Sequence, residues 1–286
     1  MSRTTWHRAE RRDLGELGAF LAGREEQCTG LTGRLLRDGE LHIPSSVRGA
    51  LWVARRDGEI AGVTLCHPSR LALPFLPPQG EGDAELAALM EGRGWTAASA
   101  IGRPGDLDRF GLLGGLGIKV SVQYRLMLLR DRPRPAVRPP GAPSLDIRIA
   151  GVSDLDALLP LQIAYEHEEV LTPVHRFDAA ACRAALLRSL RGQLIFLAEA
   201  EGAIVAKAGT NARGLGHDQI GGVFTLPERR GEGIGGAVVG ALLEAIAALG
   251  RRAVLFVKPE NRAAVGLYRR LGFEDIGPYR ADYFAV

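Results

Sequence analysis

The densest chemistry in the chain lies between Val223 and Gly236. An apolar run of Val223, Phe224, Thr225 and Leu226 meets Pro227, and Arg230-Gly231-Glu232-Gly233-Ile234-Gly235-Gly236 then opens a long apolar stretch. Glycines at a helix start let a ligand come close to the backbone. The first N–H groups of a helix have no intrahelical acceptor and carry partial positive charge. Such an end suits a phosphate or diphosphate, and Arg230 adds a fixed charge. Spacing separates the rival readings. Gly231, Gly233 and Gly236 satisfy G-x-G-x-x-G, with Glu260 where a ribose-binding acid would sit. That fingerprint begins at the strand end, whereas residues 226–230 intervene here, so a nicotinamide-dependent oxidoreductase is the weaker reading. A Walker A loop is excluded, because no Gly-Lys-Ser/Thr follows.

Two further groups of residues could work beside this loop. Tyr268 shares a helical face with Ala264, Leu267 and Leu271, which also fits a plain core aromatic. Tyr165-Glu166-His167-Glu168-Glu169 gathers carboxylates that suit a cationic amine, or simply a solvated helix end. Asp218 and Asn211 flank core strands and could face a second substrate. His167 and His175 lack the spacing and partners of a metal pair, and no metal site is expected.

Arg230-Gly231-Glu232-Gly233-Ile234-Gly235 resembles the acyl-CoA motif of the GNAT superfamily, Gln/Arg-x-x-Gly-x-Gly/Ala. The segment from Asn261 through Tyr268 to Leu271-Gly272-Phe273 resembles the second motif of that family. The resemblance covers about half the chain and has specific implications. Acetyl-CoA, or another acyl-CoA, would be the co-substrate. The backbone of Val223, Phe224 and Thr225 would hold the pantetheine arm. The N–H groups of Arg230, Gly231, Glu232, Gly233, Ile234, Gly235 and Gly236 would hold the diphosphate. Asn261 would contact the CoA arm or brace the loop. An N–H near Val223 or Phe224 would stabilise the oxyanion, and Tyr268 would protonate the leaving thiolate. An alkylammonium must lose a proton before it attacks, and Glu168 and Glu169 are the carboxylates placed to accept it. The implied activity is N-acyl transfer to a primary amine, on a small molecule or a protein, by direct attack in a ternary complex. A non-catalytic acyl-CoA-sensing module is the alternative.

The elements that must position these residues can be read from pattern. Leu145, Ile147 and Ile149 alternate as in a strand, and Ser153 is placed to cap a helix. A second helix covers residues 179–191, and a hairpin turns at Glu201-Gly202. Residues 219–225 form a strand. Ile234, Val238, Leu242, Ile246 and Leu249 share one face of a long helix. Residues 253–257 read as a buried strand, Asn261 caps a helix over 262–271, and residues 273–284 supply the last strands. The first half shows a faint echo. Residues 51–64 repeat the strand, glycine turn and strand of 194–207, and residues 113–118 precede a strand over 121–129 much as 271–273 precede the last strands. The first half lacks the glycine loop, residues 71–80 standing in its place, and it is expected to bind no CoA. The fold expected is α/β (α+β): a mixed, mostly antiparallel sheet flanked by helices, in two tandem GNAT-like domains. Their bounds are 1–130 and 145–286, joined by a Pro-rich linker at 131–144.

Bulk properties narrow the class. With 46% apolar and 24% charged residues the chain is an ordinary globular one. A net charge of +3 is too small to make nucleic acid the main partner. Cys28, Cys66 and Cys182 form no disulfide framework. Neither a signal peptide nor an apolar run near the roughly 20 residues of a membrane span is visible, so a cytoplasmic protein without a membrane partner is expected. The identity of the acceptor, and whether the chain forms a homodimer, stay open.

Overall fold

The computed structural model describes residues 4–44, 50–92, 94–174 and 176–285. They fall into two compact units. The first comprises Met1–Leu126 with Gly277–Val286, and the second Met127–Ile276. Each is built on a mixed, mostly antiparallel sheet flanked by helices.

The first unit runs β1 (Thr5–Arg8), α1 (Leu14–Ala22), α2 (Thr29–Leu35), the small hairpin β2 (Leu36–Arg37) and β3 (Glu40–Leu41), β4 (Leu51–Arg56), β5 (Glu59–Cys66) and β6 (Leu71–Phe75). It continues through α3 (Asp83–Glu91), β7 (Ser99–Gly102), α4 (Pro104–Leu113) and β8 (Ile118–Leu129), whose last three residues belong to the second unit. The sheet order is β1-β4-β5-β6-β7. All neighbours are antiparallel except β6 and β7, which run parallel and pair only at Leu71 with Ser99 and Ala72 with Ala100. The strand beside β7 is the last of the chain, β14 (Glu274–Phe284), with Arg280 opposite Gly102 and Tyr283 opposite Ser99.

The second unit repeats this plan. It runs β9 (Asp146–Ile149), α5 (Leu155–Tyr165), α6 (Ala179–Gly192), β10 (Ile195–Ala200), β11 (Ala203–Arg213), β12 (His217–Thr225), α7 (Ile234–Ala248), β13 (Arg252–Val257) and α8 (Arg262–Leu271). Strands β9, β10, β11 and β12 are antiparallel neighbours, and β12 and β13 run parallel. One apolar core forms where α7 lays Ile234, Val238, Leu242 and Ile246 on β10 to β13. Leu249, which periodicity puts on the same face, lies past the helix end and is 54% exposed.

Local chemistry explains most element ends. Asp178 accepts from the Ala181 N–H (3.0 Å) and Asn261 from the Ala264 N–H (3.1 Å), each satisfying an orphan donor of its helix. Ser153 does not cap α5. A 3-10 turn over Val152–Asp154 precedes the helix, and Asp154 accepts from the Gly151 N–H (2.7 Å) and binds Arg148. The last segment is one long strand, not several.

The repeat reaches single residues. The hairpins β4–β5 and β10–β11 turn on Asp57-Gly58 (φ 53° and 89°) and Glu201-Gly202 (φ 55° and 80°), the left-handed pair of a two-residue turn. Both carry a register shift at the equivalent place, after Ala54 and after Ala198. The Pro-rich segment is packed along α7: Ala136 joins the core of the second unit, and the backbone of Arg138 lies against Gly233.

Candidate functional site

Strand β12 sets the site. It pairs with β13 from His217–Arg252 to Ile220–Leu255, and the ladder stops there although β12 continues to Thr225 and β13 to Val257. On its other edge β12 stays paired to β11 as far as Thr225, with an irregularity opposite Lys207 to Gly209. Gly222 and Val223 form that irregularity opposite Ala208, and Gly221 pairs with Gly209 just before it. Gly222 has φ +62°, and a Cβ on Gly221 would fall 1.8 Å from the Asn211 amide nitrogen. Only glycine leaves room for Asn211, and the left-handed Gly222 turns the strand away from β13. The backbone of Val223, Phe224 and Thr225 therefore borders a gap between diverging parallel strands.

At the end of β12 a 3-10 turn over Pro227–Arg229 leads to Gly231 (φ +88°) and Gly233 (φ +76°), which caps α7 in the left-handed conformation. The helical ladder begins with Ala237 N–H to Gly233 C=O (3.1 Å), so the N–H groups of Gly233 through Gly236 precede it. Gly235 and Gly236 let the helix close on Thr225 and Leu267, since a Cβ on either would stand 3.1–3.2 Å from those side chains. Arg230 reaches Glu168 (2.8 Å) and the Thr225 carbonyl (3.2 Å), and its guanidinium stands 5.4 Å from the Phe224 ring centroid. Glu232 points to Arg229 (3.1 Å). The loop thus offers backbone donors, with one arginine at its entrance.

The acidic run folds as a wide π-helical turn, Glu166–Val170, continuing α5. Such turns re-aim side chains and recur at functional sites. Glu168 is spent on Arg230, while Glu169 binds Lys258 (3.2 Å) and the Asn261 amide (3.0 Å). Asn261 braces as well as caps. Tyr268 is buried, its ring edge-on to Phe273 at 5.7 Å. Burial pushes its phenol pKa up, and Tyr165 and Glu169 oppose its ionisation further. Burial likewise pushes Tyr165 up to about 12. Asp218 is fully buried between Arg251 (2.8 Å) and Arg213 (3.4 Å), which makes it an anchor of the sheet rather than a substrate contact. Of the two histidines considered, His167 stacks on Phe177 at 4.5 Å, and His175 lies outside the described residues. Among the described residues no group of three His, Cys, Asp or Glu could hold a metal, and no helix is long and apolar enough to cross a membrane.

Two features escaped the sequence reading. The first is Lys207, 4% exposed on β11, donating to the Gly222 carbonyl (2.8 Å). It lines a cleft of about 230 Å³ together with Gln162, Tyr165, Glu166, Thr210 and Asn211. Its signal was a lysine set among Val205, Ala206 and Ala208 in a chain with only three lysines. The second is a copy of the glycine loop in the first unit. Residues 79–84, Gln-Gly-Glu-Gly-Asp-Ala, meet the same Gln/Arg-x-x-Gly-x-Gly/Ala pattern. They begin within a 3-10 turn over Pro78–Gly80, and Gly80 (φ +76°) and Gly82 (φ +78°, capping α3) reproduce the left-handed angles of Gly231 and Gly233. The first half is therefore not without the loop, as its proline-rich approach suggested.

Known proteins place these features. Residues 161–273 match the Acetyltransferase (GNAT) family. Over 54 residues, 18% of the chain, the sequence is 44% identical to an uncharacterized N-acetyltransferase of Methanocaldococcus jannaschii, and the match spans 24% of that relative's own length. In fold, the chain is similar to a GCN5-related N-acetyltransferase from Sphaerobacter thermophilus (TM-score 0.60, 20% identity, 98% of this chain and 95% of that one). It is similar also to a tandem GNAT protein from the clavulanic acid biosynthesis pathway (TM-score 0.58, 18% identity, 100% and 99%). A third similar fold is a GNAT-family acetyltransferase from Colwellia psychrerythraea (TM-score 0.56, 14% identity, 98% and 100%).

Proposed function

We propose that the GNAT acetyltransferase domain carried by the C-terminal part of this chain moves an acetyl group from acetyl-CoA to a primary amine. The observation that carries the reading is the conjunction of the gap between β12 and β13 with the left-handed Gly231 and Gly233 at the start of α7. The residues fit the donor. Free N–H groups from Gly233 to Gly236 would hold the diphosphate, with Arg230 beside them, and the edge of Val223 to Thr225 would pair with the pantetheine amides. Acetyl-CoA supplies an activated acyl carbon as a thioester.

The chain's own groups then have defined tasks. An N–H of Val223 or Phe224 donates to the carbonyl oxygen as it gains charge, from a strand already held in place and needing no reorganisation. The amine nitrogen bonds to the acyl carbon, the carbon–sulfur bond breaks, and the sulfur takes the Tyr268 proton and leaves as a thiol, while the proton given up by nitrogen passes to water and restores the Tyr268 phenol. Tyr268 is the proton donor to sulfur: its raised pKa keeps the phenol protonated across the physiological range. Glu168 and Glu169 are tied to Arg230 and to Lys258 with Asn261, which supports a positioning task for both.

Calorimetric titration of acetyl-CoA into the intact protein, followed by thiol-release assays on an amine library, tests the reading. Binding at micromolar donor with thiol release on at least one amine is the expected result. No heat at sub-millimolar acetyl-CoA would remove it. Tyr268→Phe is expected to lower turnover at least tenfold with donor affinity within twofold, and unchanged turnover takes Tyr268 out of the mechanism.

A further inference from the structure

We propose that the acceptor is a small amine that carries its own carboxylate, and that Lys207 receives that carboxylate. The inference rests on the acetyltransferase reading above.

Lys207 is a buried ammonium short of an anion. Of its three N–H donors, one goes to the neutral Gly222 carbonyl at 2.8 Å, and its nitrogen stands 4.6 Å from the Tyr165 ring centroid. Among the described residues no carboxylate reaches it within ion-pair distance. Buried lysines are rare unless paired, because an uncompensated charge out of water is costly. Two donors are thus left for a guest. Burial lowers the pKa of Lys207 to about 8, with Glu166 at the end of α5 and the Cys182 thiol on α6 pulling the other way, so the group is still mainly cationic at neutral pH.

The space beside it has a size and a floor. The cleft of about 230 Å³ is that of a small metabolite. Its floor is the bare backbone of Gly221 and Gly222, where Asn211 occupies the place of a side chain. A carboxylate accepting from Lys207 would rest beside Gly222, one residue before the Val223 and Phe224 amides assigned to the acyl oxygen. An amine a few bonds from that carboxylate would reach the same strand. Glu166, held by the Gln162 amide at 2.8 Å, lines the cleft as its carboxylate. One cation and one carboxylate in one small cleft match a zwitterion, whereas a plain alkylamine would leave Lys207 without a partner.

The test uses the intact protein with acetyl-CoA. Thiol release is measured on the protein amino acids and β-alanine, each beside its amide and its decarboxylated amine. At least one free acid is expected to exceed its amide tenfold in kcat/KM, mostly through KM. Lys207→Met should bring that ratio to within twofold, and Lys207→Arg should retain part of it. The comparison of acids with amides in the unaltered protein does not depend on any variant folding. If amides and decarboxylated amines serve as well as the acids, this inference is overturned while the acetyltransferase reading stands. If no amine releases thiol, both are overturned.

Discussion

The two glycine loops of this chain share a backbone and differ in everything placed around it. Gly80 and Gly82 repeat the left-handed angles of Gly231 and Gly233, and α3 starts from its loop as α7 does. Around Gly82, however, the first unit has put its own side chains. A Cβ on Gly82 would fall 2.9 Å from the indole nitrogen of Trp6, a residue 4% exposed whose indole N–H has no hydrogen-bond partner among the described residues. Glu81 binds Thr4 (2.9 Å), Glu85 accepts from the Trp6 N–H (2.9 Å), and Asp83 is paired with Arg109. The helix end that would attract a phosphate is already answered by carboxylates. The gap between β6 and β7 is also filled. Tyr279, Cys28, Leu73 and Phe75 leave only about 10 Å³ there, and Arg103 stands 3.8 Å from the Phe75 ring centroid. The comparison separates two properties that the glycine pattern runs together: the pattern fixes a backbone conformation, and what surrounds it decides whether an anion can enter.

The sharpest way to break the comparison is stoichiometry. One acetyl-CoA per chain is expected by calorimetry. Gly233→Val should weaken that binding about a hundredfold, because a β-branched residue resists the left-handed angle and would strike Arg138. Two donors per chain would end the distinction. Next in size is Asp218→Asn, which leaves Arg251 and Arg213 without their buried partner. A loss of about 3 kcal/mol is expected in denaturant unfolding. Gly82→Val should cost about 2 kcal/mol of stability and leave acetyl-CoA affinity unchanged; weaker donor binding would show that the first loop takes part.

The smallest effect concerns Lys207. Its pKa falls on folding from 10.5 to about 8, so the folded state holds fewer protons than the unfolded state between those values. Stability therefore rises with pH across that window, and the burial cost is fully present below pH 8. Lys207→Met should stabilise the protein at pH 7 by roughly 1–2 kcal/mol, after allowing for the lost bond to Gly222. That gain should shrink from pH 8 upward, as followed by thermal unfolding. A gain independent of pH would mean that folding leaves the Lys207 pKa at its ordinary value.

Much of the second unit could be read from its sequence because its signals are local. Asn261, the Glu201-Gly202 turn and the apolar stripe of α7 each act within a few residues. The glycine loop at Gly231 and Gly233 was legible for the same reason. Lys207 was not, since a lysine in a strand says nothing of which neighbours bury it until β12 folds beside β11. The first loop was missed because Pro77, Pro78 and three acidic residues mask two glycines, and its meaning turns on Trp6, far away in sequence. The carboxylates Glu168 and Glu169 were found by type, but their partners Arg230 and Lys258 come from distant segments.

The strand that completes the ladder beside β7 is made after the second unit. Residues 280–283 pair with 99–102, and everything from Gly277 belongs to the first unit. On the ribosome the first unit must therefore wait, with β7 lacking an antiparallel neighbour, until the second unit has been synthesised. The order of synthesis makes the second unit the one able to fold first. A chain cut after Ile276 would lose a strand of the amino-terminal half and keep the segment that carries Gly231 and Gly233.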